Sequence, residues 1–153
     1  MEFSAVVAFA ELVMNIGTRI KSTQKSAKGH KRKILLELEE NVELISLWKN
    51  KGFPIDKVIL KLERSRYDSA VDVDFNINSI KSTALKKSTT KGVPQFQKYV
   101  GWSTEKLLNS LYRKIRNIKH IVDMDSESKH VSKSARLGNI YKITILLIHH
   151  IES

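Results

Sequence analysis

The chain has no cysteine. Disulfides and thiolate-bound metals are therefore excluded, and the composition fits a reducing compartment such as the cytoplasm. Chain breakers are scarce, with 6 glycines and 2 prolines in 153 residues. An all-β fold built on many tight turns needs more of both. A phosphate-binding glycine loop, zinc-ligand spacing and a nucleophile motif are all missing. No apolar run approaches the roughly 20 residues of a bilayer-spanning helix. The greasiest stretch, "MEFSAVVAFAELVMNIG", carries Glu2 and Glu11 and lacks a basic leader, which does not suit a signal peptide.

What is present points to a globular, helical chain. Hydrophobic residues make up 41% and charged residues 28%, enough apolar content for a real core at this length. One domain spanning 1–153 is expected. Net charge is +11, and it is unevenly placed. Residues 1–76 hold 13 basic and 11 acidic side chains, whereas 77–153 hold 14 and 5. Seven Lys/Arg and no carboxylate lie between Leu12 and Leu36; ten lie between Lys81 and Val122 against Glu105 alone. Such fields favour polyanions: nucleic acid, an acidic protein or an anionic membrane surface.

Periodicity supplies the elements. Phe9, Val13, Ile16 and Ile20 recur at helical spacing and predict a helix over 3–21, apolar almost all round. Together with the basic segment after it, to residue 33, it also has the composition of an interfacial membrane anchor, though a place within a bundle is favoured. Leu35, Leu38, Val42, Ile45 and Trp48 predict a second helix over 31–50, with Glu37, Glu39, Glu40 and Glu43 on its wet side. Gly52 and Pro54 end it. Ile55, Val58, Ile59 and Leu62 open a third helix running toward residue 67.

"VDVDFNIN" at 71–78 alternates strictly, which is the strand period. It is expected as an extended loop whose Val71, Val73, Phe75 and Ile77 plug the bundle, or as a small hairpin with "VPQFQKYV" at 93–100. The Ser-, Thr- and Lys-rich stretch between them reads as a mobile surface loop. Ser103 is a suitable N-cap for a fourth helix, whose Leu108, Leu111, Ile115, Ile118 and Val122 step by three and four. Leu137, Ile140, Tyr141, Leu147, Ile148 and Ile151 mark the last helix, over about 133–151. Its "ITILLI" centre leaves a strand open, and Gly138 could delay its start to Asn139. The expected fold is all-α: a four- to five-helix bundle with an extended or small-hairpin insertion around 71–100.

The fourth helix carries "RKIRNIKHIV" at 113–122. At 100° per residue its five core positions fall within about 80° of one another, and Arg113, Arg116, Asn117 and His120 point roughly opposite. Arg113 and His120 nearly eclipse, and Arg116 sits one turn before His120. This segment resembles the signature of the HEPN-domain ribonucleases, in which an Arg, often followed by Asn, precedes a His on one helix. Three residues separate Arg116 and His120 from each other; six separate Arg113 from His120. The resemblance implies a dimeric, metal-independent endoribonuclease of toxin or defence type. His120 would then act as acid/base toward an RNA 2′-hydroxyl, while Arg113 or Arg116, with Asn117, holds the phosphate.

The reading favoured by charge alone is non-enzymatic. Lys25, Lys28, Lys31, Arg32 and Lys33, with Arg113, Lys114, Arg116 and Lys119, would neutralise backbone phosphates or an acidic protein, blind to sequence. Aromatics near these patches are few: Tyr99, Trp102 and Tyr112. Asp72, Asp74, Asn76 and Asn78 share one side of an extended chain but do not match a calcium loop. His30 and His130 lie in polar loops and read as exposed, and His149–His150 cannot chelate from one helical face. No metal or cofactor is expected. A homodimer is the oligomer the ribonuclease alternative requires.

Overall fold

Steps of three and four between leucines, isoleucines and valines do set the helices. The computed structural model describes residues 29–124 and 132–153, and in them it holds five α-helices and no strand. These are α1 (Gly29–Lys51), α2 (Ile55–Lys61), α3 (Ser65–Asp72), α4 (Thr104–Met124) and α5 (Lys133–Glu152). Short 3-10 turns cover Ile77–Ser79, Lys87–Thr90 and Pro94–Tyr99. The helix expected at 3–21, together with Lys25, Lys28 and His130, lies outside the described residues.

Leu35, Leu38, Val42 and Ile45 of α1 and all five seam residues of α4 are buried in one core with α5. Helix α5 is its centre. Every residue from 143 to 151 is buried, and the helix packs mainly on α4 and α1. The strand alternative for "ITILLI" loses because no other strand among the described residues could pair its buried backbone, whereas a helix satisfies its own N–H and C=O groups, and β-branching costs it only a few tenths of a kcal/mol per residue. Gly138 does not delay α5. Ser132 starts it instead, its hydroxyl accepting from Ala135 N at 3.2 Å.

The helix expected from 55 to 67 breaks at Leu62–Arg64 into α2 and α3, and three side chains from elsewhere satisfy the break. The Asn41 amide donates to Glu63 O and accepts from Glu63 N, both at 2.8 Å. Lys119 Nζ donates to Leu62 O at 2.6 Å. Glu37, expected on the wet face of α1, is instead 1% exposed. Its Oε2 accepts from Arg66 N (2.8 Å), and its Oε1 from Tyr67 N (3.2 Å) and the Tyr112 hydroxyl (2.8 Å). Arg64 in the N-cap position offers no capping side chain, so a carboxylate from another helix caps α3, where the dipole favours negative charge. Burial, and then the adjacent Glu37 carboxylate, hold the Tyr112 hydroxyl well above the ordinary phenol range.

The alternating segment is neither strand nor hairpin. Residues 71–72 close α3, and Val71 and Val73 do not plug the bundle: they are 45% and 64% exposed. Phe75 is half-buried and Ile77 buried. The chain to Tyr99 is more than surface loop, since Ile80, Leu85, Thr90, Val93, Phe96 and Tyr99 are buried. Leu85 N donates to Trp102 O, and Gly101 N to Leu85 O, both at 2.9 Å.

At the far end of α5, His150 is 1% exposed. The Thr104 hydroxyl donates to Lys81 O at 2.8 Å, leaving its oxygen to accept from His150 Nε2 at 2.9 Å. That arrangement puts a proton on Nε2. Burial, and then the nearby Lys81 charge, push its pKa down to about 4.

Two outcomes follow for stability. Tyr112→Phe should cost about 1–2 kcal/mol and Glu37→Ala about 3–5, because the latter orphans three buried donors; urea midpoints measure both. His150 titrates near 6.5 unfolded and near 4 folded, so the unfolded chain binds more protons between those values. Stability should be full above pH 6.5 and fall by up to about 3 kcal/mol as pH drops through 4. His150→Gln should flatten that part of the pH profile in thermal melts.

Candidate polyanion-binding face

Helix α4 is positioned at both ends of its sequence logic. Ser103 Oγ accepts from Lys106 N at 3.2 Å, capping the start, and Glu105 occupies the first turn. Its seam of Leu108, Leu111, Ile115, Ile118 and Val122 is buried to the last residue. Tyr112 joins that seam and, through Glu37, fixes the rotation of the helix about its axis. The opposite face is thereby turned out. Arg113, Arg116, Asn117 and His120 are all exposed. The structure places them together, as the spacing predicted, and no carboxylate among the described residues pairs with either arginine.

The other predicted cations divide. Lys114 is half-buried on the flank of α4 that faces α5. Lys119 belongs to a different role, because its ammonium is held by the Leu62 carbonyl at the α2–α3 corner. At the start of α1, Arg32 and Lys33 are exposed and Lys31 is half-buried. His30, expected in an exposed loop, is in α1 and half-buried, its ring 4.7 Å from that of Phe75. His149 and His150 are both buried, and only the latter's partner has been described above.

Sequence reasoning missed the contribution of α5. Lys114 and Asn117 share a cleft of about 180 Å³ with Arg136, Asn139 and Ile140. Arg136 and Asn139 are exposed on the first turns of α5, and Ile140 forms the apolar floor. Every polar group lining the cleft is a cation or an amide, and none is a carboxylate. Arg136 could have been found from its helical register, since it lies one turn before Asn139 and Ile140 and so shares their side of α5. The pairing with α4 could not, because it depends on how the two helices cross.

Aromatic rings do not contribute a stacking surface here. Tyr112 and Tyr99 are 1% and 4% exposed. The half-buried Trp102 has Lys106 Nζ over its ring at 4.1 Å. Among the described residues no three His, Asp or Glu side chains gather where a metal could be held. Likewise no helix there is long and apolar enough to cross a membrane.

Comparison with protein-family models, curated proteins and solved structures finds no match to this chain. The functional reading therefore rests on the geometry alone.

If Lys119 is a structural cation, Lys119→Met should lower the urea midpoint by the equivalent of about 1–2 kcal/mol. Any polyanion affinity of the folded protein should stay unchanged.

Proposed function

We propose that the protein binds the phosphate backbone of nucleic acid through the outer face of α4 and its cleft with α5. The observation that carries this reading is the carboxylate-free cleft lined by Lys114, Asn117, Arg136 and Asn139, beside the exposed Arg113, Arg116 and His120. Guanidinium and amide donors grouped without a neutralising acid match phosphate oxygens. The absence of an open ring near them favours backbone contact over base stacking. Recognition of this kind is indifferent to sequence and does not prefer single strands.

Such binding releases counterions, so retention of a mixed-sequence duplex should fall steeply as salt rises. Replacing Arg113, Arg116 and Arg136 singly by Ala should lower the slope of log affinity against log salt by about one each. Retention that ignores salt, or variants that bind like the wild type, would refute the proposal; affinity for an acidic protein in place of nucleic acid would redirect it.

A second reading has one observation in its favour. Arg116, Asn117 and His120, the residues that resemble the HEPN signature, are exposed together on one strip of α4, open to a second copy of the chain. In that reading a homodimer cleaves RNA without metal. Labelled RNA should be cut in the presence of a chelator, and His120→Ala should abolish cutting while leaving RNA retention in place. Equal cleavage by both proteins, or by neither, removes the ribonuclease.

A further inference from the structure

The most basic chain segments surround one that is acidic. From Tyr67 to Ile80 there are three aspartates and no Lys or Arg, in a chain of net charge +11. The fold gives this segment a shape. Asp74 N donates to Val71 O and Phe75 N to Ala70 O, both at 3.0 Å, the paired bonds of a Schellman cap. That cap needs a left-handed residue, and Asp74 supplies it with φ 55°. Asp is one of the few side chains that tolerate this conformation. The reversal turns Phe75 inward against His30 and leaves Val71 and Val73 facing solvent.

Between this cap and the start of α4 lies a cleft of about 440 Å³. Tyr67 and Phe75 supply aromatic surface, Asp74 and Glu105 supply carboxylates, and Asn109 and Val71 complete the rim. One face of the Tyr67 ring is stacked on Tyr112 at 4.1 Å and 3°, so the ring is held rigid. The Asp74 carboxylate makes no hydrogen bond or ion pair with the described residues, and Glu105 accepts only a 3.3 Å bond from Asn78. The larger cleft between α1 and α2 differs in this respect. There Glu40 already pairs with Arg66 at 3.3 Å, and Lys61 forms part of the wall.

We propose that the α3–α4 cleft docks an arginine side chain of a basic peptide segment in a partner protein. The guanidinium plane lies against the aromatic floor while its N–H groups meet Asp74 and Glu105. Val71 on the rim and the exposed Val73 offer apolar surface at the edge of the cleft, which suits the neighbouring residues of a peptide better than a free amine. This site is distinct from the cationic face and does not depend on the reading given for it.

The test is an NMR titration of the full chain with the peptide acetyl-Ala-Arg-Ala-amide, following Val71, Val73, Phe75 and Asn109. Its counterpart with citrulline, which keeps the shape and loses the charge, is titrated beside it, as is spermidine. Saturable shifts from the arginine peptide alone are expected. Asp74→Asn, which keeps a residue tolerant of positive φ, and Glu105→Gln should each weaken binding about fivefold, as loss of a partly exposed ion pair does. Both variants should retain the wild-type spectral dispersion. The proposal is overturned if the arginine peptide causes no saturable shift at these residues, if citrulline binds equally well, or if the carboxamide variants bind unchanged. Spermidine binding as tightly as the peptide would also overturn it in favour of a small-amine site.

Discussion

The carboxylate of Glu37 is the point at which α1, α3 and α4 are held to one another. Taking a carboxylate out of water is expensive, and two hydrogen bonds from the N-terminus of α3 with a third from the Tyr112 hydroxyl offset that cost. Asn41, one turn further along α1, and Lys119 complete the corner by satisfying the backbone of Leu62 and Glu63. The arrangement allows a chain break to lie inside the protein without orphaned polar groups. It also fixes direction. Tyr112 is bonded to Glu37, so α4 cannot rotate without breaking that bond, and the aim of Arg113 and Arg116 is fixed by a contact on the flank of the helix within one turn of them.

Charge is sorted by the same framework. The cleft between α4 and α5 is lined by cations and amides with no acid among them, while the cleft between the α3 cap and α4 is lined by carboxylates with no Lys or Arg. Both surfaces lie along α4, the acidic one by Glu105 and Asn109, the basic one from Arg113 onward. A single rigid helix thus presents fields of opposite sign within two or three turns. Two to three turns are about 11–16 Å, beyond the screening length of about 8 Å at physiological salt, so the two surfaces act on one another only at low ionic strength.

The sequence was legible where one face of a helix had one job. The five seam residues of α4, the Ser103 cap and the Gly52 stop, where φ is +71°, follow from periodicity and local chemistry. So does the outward quartet. What could not be read were polar residues whose partners come from distant elements. Glu37 has the same local pattern as Glu40 and Glu43, and only the tertiary arrangement buries it. Lys119 sits among exposed cations yet is spent on a carbonyl 57 residues away. "VDVDFNIN" misleads for another reason: its alternation spans a helix end with Val71 and Val73, a left-handed reversal at Asp74 followed by Phe75, and a 3-10 turn that begins at Ile77. Arg136 joined the site only once the crossing of α4 and α5 was known.

Helix α5 is the centre of the core and the last of these helices to leave the ribosome. Until residues 137–151 emerge, the seams of α1 and α4 lack the helix that bridges them, and much of their apolar surface stays in contact with water. The earlier helices can dock only through the smaller contacts of α1 with α2 and α3 and of α2 with α4. Synthesis of this chain therefore imposes a waiting period, during which its apolar stripes are open to chaperones or to another nascent copy. The core closes when the central rod arrives.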